Sequence, residues 1–264
     1  MRRPLYDQLV PYYELVEGRD WAREIKLIVS VLRRHGSQTV VDLGCGTGYH
    51  DRKLAELGFD TTGVDISRPN VSFARRKAEE ENVTPRFVAG SYYNYRPSRP
   101  IDAALCLNWS IPTRDREIRH FLTNTRSILR MGGLLIFDYE RVSQIVWTDV
   151  GKPIINSWDL PKTLIVRVSV GRMISNVLYS RDVYILFPKN VKPKAPNEVA
   201  RYTAGLRNRL PKVFADTSYV RFFSPTEVKR VAKASGFRVI RNYMLPRNQY
   251  HRCYAVLQKV SEPS

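Results

Sequence analysis

The segment Asp42-Leu43-Gly44-Cys45-Gly46-Thr47-Gly48 places three glycines at alternate positions, directly after the apolar run of Thr39–Leu43. Glycine lets the main chain turn through conformations closed to other residues, and it leaves no side chain between backbone and ligand. Such a loop, between a strand and a helix, can cradle a nucleotide-like molecule. A dinucleotide fingerprint requires G-x-G-x-x-G. Counted from Gly44, its last glycine falls on Tyr49, so the pattern fails. Asp42 narrows the choice further. A carboxylate beside the loop repels a pyrophosphate and favours a ligand carrying an ammonium and a sulfonium. A second carboxylate stands in Gly63-Val64-Asp65-Ile66-Ser67. At the end of a second strand, Asp65 can accept hydrogen bonds from both ribose hydroxyls at the switch point of a doubly wound sheet.

These residues need a scaffold, and the flanking pattern supplies one. Asp20 can cap a helix running to about Arg34, with Ile25, Ile28, Val29 and Leu32 on one face, ended by His35-Gly36. Thr39–Leu43, Asp60–Asp65, Arg86–Ala89, Ile101–Leu107 and Leu134–Tyr139 read as strands. Tyr49–Leu57, Asn70–Asn82 and Asp115–Leu129 read as the helices between them, and Met131-Gly132-Gly133 as a turn. Alternation of this kind specifies a parallel sheet built from βαβ units. After Glu140 the period changes. Leu164–Val170 and Val177–Phe187 alternate apolar and polar residues and are rich in β-branched side chains, as in an antiparallel hairpin. Lys189–Lys212, with its prolines and cations, reads as a loop or short helix. Ser224-Pro225-Thr226-Glu227 then starts a helix with a capping box, and Arg238–Met244 and Cys253–Val260 are final strands. The expected domains are an aromatic arm and helix at 1–38, a Rossmann-like body at 39–140 and 222–264, and an inserted hairpin with a basic lid at 141–221.

Asp42–Gly48, Asp65 and the order of elements resemble the class I S-adenosylmethionine-dependent methyltransferases over about 39–140 and 224–260. The resemblance implies an α/β, Rossmann-like, doubly wound seven-stranded sheet with an antiparallel last strand and, here, an antiparallel β insertion after strand 5. It implies S-adenosylmethionine as cofactor, held by Asp42, Gly44, Gly46, Gly48, Asp65 and Ile66. Further contacts are implied at Ser91, which stands where the family usually has an acidic residue, at Tyr92 against the adenine, and at Leu107 and Asn108 beside the methionine moiety. An insertion after strand 5 with a tyrosine-rich N-terminus is nearest in layout to small-molecule N-methyltransferases of the aminosugar and glycine/sarcosine types. On that analogy Tyr6, Tyr13 and Glu140 are the candidate catalytic residues, with Asp138 and Tyr139 also lining the site.

Methyl transfer is an in-line displacement at carbon, so the enzyme's main task is to place the acceptor on the S–C axis in a water-poor pocket. Asn108-Trp109-Ser110-Ile111-Pro112 matches poorly the Asp/Asn-Pro-Pro-Tyr/Phe run of base-amino methylases. Cys106 and Cys253 fall inside expected strands and read as inert core thiols. A nitrogen of a small molecule is the expected acceptor. The formal net charge of +18, with Lys189, Lys192, Lys194, Arg201, Arg207, Arg209 and Lys212 crowded into one segment, keeps an RNA substrate as the alternative. A cofactor-binding regulatory subunit without catalysis is a lower one. His251, before the last strand, reads as a surface residue. The chain has 264 residues, 43% of them hydrophobic, which suits one core with an insertion. It holds no apolar run long enough to span a membrane and no apolar leader at Met1-Arg2-Arg3-Pro4. Three scattered cysteines give neither a disulfide framework nor a metal site, so a cytoplasmic location is expected, with the oligomeric state open.

Overall fold

The computed structural model describes residues 9–16, 21–145, 147–161, 163–188, 211–247 and 250–261. Tyr6 and residues 189–210 of the cationic segment lie outside them, as does the side chain of His251. By contacts, the described residues divide into two compact units, 9–145 with 220–261, and 147–219.

The larger unit is the doubly wound sheet. Its strands β1 (Thr39–Leu43), β2 (Asp60–Asp65), β3 (Arg86–Ala89), β4 (Ile101–Cys106) and β5 (Leu129–Arg141) pair in parallel in the order β3-β2-β1-β4-β5. β5 is longer than the sequence implies. It begins at Leu129 and carries Gly132 within it at φ 74°, with an irregular register against β4 between Ile101 and Ala103. Two strands extend the sheet beyond β5. β11 (Tyr250–Lys259) pairs antiparallel with β5, and β10 (Phe237–Arg247) pairs antiparallel with β11. The seven-stranded sheet with its reversed last strand is therefore present.

The central strands are buried on both faces, and their alternation splits the core in two. Val41, Ala104, Leu135, Phe137 and Ala255 face α4 (Asp115–Ile128) and α5 (Pro225–Ala234), which contribute Ile118, Phe121, Val228 and Ala232. Val40, Ala103, Ile136 and Val256 face α1 (Trp21–Arg34) and α2 (Tyr49–Glu56), which contribute Ile28, Leu32 and Leu54. A third cluster, Val71, Ala74, Ala78 and Phe87, seats α3 (Arg68–Glu80). The cap expected at Ser224 forms, its Oγ accepting from Glu227 N at α5; Ser67 Oγ likewise accepts from Asn70 N at α3, and the cap expected at Asp20 lies outside the described residues. Phe222 and Phe223 pair parallel with Glu140 and Arg141 at the far end of β5.

In the smaller unit, β6 (Pro153–Asp159), β7 (Thr163–Ile174) and β8 (Val177–Pro188) form an antiparallel meander, and the early residues of β9 (Lys212–Phe223) lie beside β8. The β7–β8 hairpin turns through Ser175 at φ 53°. β6 and β9 are additions to the two strands legible in the sequence. Among the described residues, no helix is long and apolar enough to cross a membrane.

Candidate functional site

The glycine loop lies at the carboxyl edge of the parallel sheet, between β1 and α2. Gly44 and Cys45 donate their backbone N–H groups to Val64 O at 2.8 and 3.2 Å, which ties the loop to the end of β2. Gly44, Gly46 and Gly48 have φ of 93°, 55° and 72°, a region that residues with a Cβ adopt only under strain. The three differ in surroundings. A Cβ on Gly44 would lie 2.7 Å from Ser110 Oγ, and one on Gly48 2.5 Å from the Phe87 ring. A Cβ on Gly46 would meet no described atom within 4 Å. Two of the glycines are required by packing, and the third faces open space.

Carboxylates surround that space. Asp65 accepts from Gly46 N and Ser67 N, both at 2.8 Å, one on each oxygen. Burial raises its pKa, and the donors of Ser67 and Gly46 work the other way. Asp42 is 2% exposed, and its Oδ1 has no hydrogen-bond partner among the described residues. Burial is the main reason its pKa is pushed up to about 6; the nearby His50 lowers it, and Asp65, Glu24 and Asp138 raise it. Asp51 on α2 is likewise buried, with Oδ2 unpartnered, and its pKa is raised by burial and by Asp42. Buried polar atoms normally have partners. Orphaned carboxylate oxygens beside bare glycine backbone fit a ligand that brings N–H donors and positive charge, as S-adenosylmethionine does.

The same rim continues at the end of β4. Leu107 is buried, and Asn108 and Trp109 follow with φ of 65° and 59°. Both of their N–H groups donate to the Asp138 carboxylate, at 3.0 and 3.2 Å. Asp138 and Glu140 share one face of β5. Tyr139 points to the other, packed against Phe137 and Phe223 in the core, so it does not line the site beside its neighbours. Strand alternation is the reason. Ile66 is 79% exposed at the rim. Ser91 Oγ accepts from Tyr93 N at 3.3 Å. Tyr92 packs on Tyr93 and Phe121 and donates its hydroxyl to Ser110 O at 3.3 Å. Tyr13 is buried within a helical turn at Tyr13–Val16.

Several charged groups near the crevice escape a reading of the sequence. Arg52 is 1% exposed, yet it donates to Thr47 O in the glycine loop at 2.6 Å, to Glu14 at 3.0 Å, and lies 3.1 Å from Glu81. Glu24 is buried on α1, accepts from the Tyr254 hydroxyl at 3.1 Å and lies 3.4 Å from His50 Nε2. Arg252 pairs with Asp138 at 2.9 Å. The run His50-Asp51-Arg52, three ionisable residues following a glycine loop, is a local signal for His50 and Arg52 only, and it does not tell a buried charge from a solvated one. All three cysteines are free and buried.

Residues 40–133 match a family described as "Methyltransferase domain". Human glycine N-methyltransferase is 29% identical over 143 residues, 48% of this chain and 48% of that protein. The chain spans about half the length of the curated relatives it matches. Among solved structures, an S-adenosylmethionine-dependent methyltransferase from Clostridium acetobutylicum superposes with a TM-score of 0.75 at 14% identity, covering 95% of this chain and 96% of that one. CalS10, an amino pentose methyltransferase from Micromonospora echinaspora with bound S-adenosylmethionine, gives 0.71 at 16% identity, covering 98% and 100%. At such identities the likeness is one of fold. The family match thus falls on the Rossmann-like sheet itself, from β1 into β5, and the structural likeness is to the fold of these methyltransferases.

Proposed function

We propose that this chain transfers a methyl group from S-adenosylmethionine to a nitrogen of a small molecule. The observation that carries this reading is the glycine turn at the carboxyl edge of the parallel sheet, open at Gly46 and flanked by Asp42 and Asp65. The relatives named for glycine and amino pentose methylation support a small nitrogen acceptor over RNA. The RNA alternative rests on the net charge of +18 and on the cations of Lys189–Lys212, of which all but Lys212 lie outside the described residues. The three scattered, buried cysteines, free of disulfides, support action in a reducing compartment such as the cytoplasm.

When bound, the cofactor supplies a methyl carbon on a sulfonium, a good leaving group. The acceptor nitrogen's lone pair forms the new N–C bond as the C–S bond breaks and its electron pair stays on sulfur, after which the nitrogen loses its proton. The chain's task is placement. In this reading Asp65 receives the ribose hydroxyls, with Ile66 at the rim beside it. Asp42 faces the ammonium, and the backbone of Gly44, Gly46 and Gly48 permits close approach. Ser91 and Tyr92 border the adenine end. Leu107 and Asn108 border the methionine end, where the acceptor meets the methyl. Tyr13, Tyr6 and Glu140 are proposed to line the acceptor side, with Glu140 as amine anchor or proton acceptor.

The test is methyl transfer from labelled S-adenosylmethionine to glycine, sarcosine, amino sugars and cell extract fractionated into metabolites, RNA and protein. Label in the metabolite fraction is the expected result. Label in RNA alone overturns the small-molecule reading. Binding of S-adenosylhomocysteine without transfer to any fraction returns the chain to a regulatory role.

A further inference from the structure

Asn108 and Trp109 are consecutive residues with a Cβ in left-handed backbone. Such strain persists only where the surroundings over-determine it. The holding group is Asp138, whose two oxygens accept the two N–H groups. Asp138 is 0% exposed, and a bare carboxylate there is unfavourable. Arg252, on β11, supplies the opposite charge. Its Nη1 lies 2.9 Å from Asp138 Oδ2 and donates to Asn108 Oδ1 at 3.3 Å. Its guanidinium stacks 4.3 Å above the Trp109 ring, and its Nε lies 3.9 Å from Glu140 Oε1. One side chain, 4% exposed, thus touches both strained residues, the carboxylate that grips them and a candidate acceptor-side carboxylate.

We propose that Arg252 is a positioning residue: it locks the Asn108–Trp109 turn in the geometry that presents the acceptor to the methyl group. This rests on the methyltransferase reading. Scaffold needs do not explain the residue. β11 is already fastened to β5 by a continuous register from Cys253↔Tyr139 to Gln258↔Leu134. An apolar side chain would fill such a site without desolvating a charge, and buried ion pairs are weak devices for stability alone. Arg252 also keeps Nη2 buried with no hydrogen-bond partner among the described residues, a remaining donor within the same constellation. Burial disfavours its charge, but Asp138 and the other nearby anions more than compensate, so its pKa is raised.

The experiment compares the full chain with Arg252→Met and Arg252→Lys in three readouts. These are hydrogen–deuterium exchange across 105–112, calorimetric affinity for S-adenosylhomocysteine, and kcat and KM on the acceptor found above. In Arg252→Met, exchange at Asn108 and Trp109 rises at least about tenfold while β1 stays protected, and kcat falls about 10²-fold, the cost of a small misplacement. Affinity for S-adenosylhomocysteine falls much less than kcat, by about tenfold or less, because Asn108 is one of several cofactor-side residues. Arg252→Lys keeps the charge but not the fork or the stack, and recovers part of both losses. Unchanged exchange at 108–109, or kcat and affinity falling to the same extent, overturns the proposal. If Arg252→Met does not fold, Arg252→Lys decides alone: native exchange and native kcat overturn it, and a partial loss of both supports it. A wild-type chain that methylates nothing sinks the functional reading, while the exchange measurement still judges the turn.

Discussion

The backbone N–H of Gly46 donates to Asp65 Oδ2 at 2.8 Å, so the tip of the glycine loop and the end of β2 are held by one carboxylate. Ser67 N and, more distantly at 3.5 Å, Asn70 Nδ2 donate to the other oxygen, so Oδ2 keeps the freer lone pair for a ribose hydroxyl. Replacing Asp65 with Ala removes two charge-assisted hydrogen bonds, each contributing about 1.5–3 kcal/mol. Affinity for S-adenosylhomocysteine is expected to fall at least about 10²-fold in titration calorimetry. Unaltered affinity would remove Asp65 from the cofactor site.

Asp42 predicts a pH dependence. Its folded pKa of about 6 lies above the ordinary 3.8, chiefly through burial, so the folded protein holds that proton more tightly than the unfolded chain does. The stability it contributes is complete below 3.8 and is lost as pH rises through about 6. A cationic ligand reverses the preference by favouring the ionised form. S-adenosylmethionine should therefore bind more weakly at pH 5 than at pH 7. Binding near pH 6 should release a proton, seen as a calorimetric heat that varies with buffer ionisation enthalpy. Asp42→Asn should abolish the release, and a release that survives the substitution assigns it to another group.

Gly46 and Gly48 should separate binding from folding. Ala at Gly48 collides with the Phe87 ring and carries a positive φ of 72°, so it is expected to destabilise the fold by about 2 kcal/mol or more in urea denaturation. Ala at Gly46 meets no described atom, so its stability cost is limited to about 1–2 kcal/mol of backbone strain. Its methyl nevertheless enters the space assigned to the cofactor, and S-adenosylhomocysteine binding should drop steeply. Equal effects of the two on binding and stability would contradict this division.

Arg52 is the clearest stability prediction. It is 1% exposed and joins Thr47 O to Glu14 and Glu81. Met in its place leaves a buried carbonyl without its donor and both carboxylates without their guanidinium, at an expected cost of about 3 kcal/mol. Urea titration measures it, and a loss below about 1 kcal/mol would mean that the three contacts contribute little.

The fold was legible where physics imposes a local pattern. Parallel strands buried on both faces write continuous apolar runs, as in Val40-Val41 and Leu134-Leu135-Ile136-Phe137. Glycines at positive φ likewise announce the loop. β6 escaped notice because most of its residues are exposed, with Pro153 and Asp159 at its ends, so it lacks a buried face to set a period. β9 was hidden behind the cationic segment it follows. In the site, the glycines and the two acidic residues could be read because each lies in a short motif. Arg252, Glu24 and Arg52 could not. Apart from Thr47 beside Arg52, their partners are remote in sequence, 230 residues apart for Tyr254 and Glu24, and a charged residue in a helix or strand ordinarily signals a solvated face.

The amino edge of the sheet is finished differently. There Asp102 accepts from Gln38 N, Thr39 N and the Thr39 hydroxyl and meets Arg130; although burial opposes this, those donors hold its carboxyl below the usual carboxylate range. At that rim the Asp102 carboxylate is satisfied from within, whereas Asp42 Oδ1 and Asp51 Oδ2 have no donor among the described residues. Sequence drift at Asp102 should register in melting behaviour with ligand recognition intact. Drift at Asp42 should weaken recognition of a cationic ligand and also change how melting depends on pH, which sets the two aspartates apart in any variant of this chain.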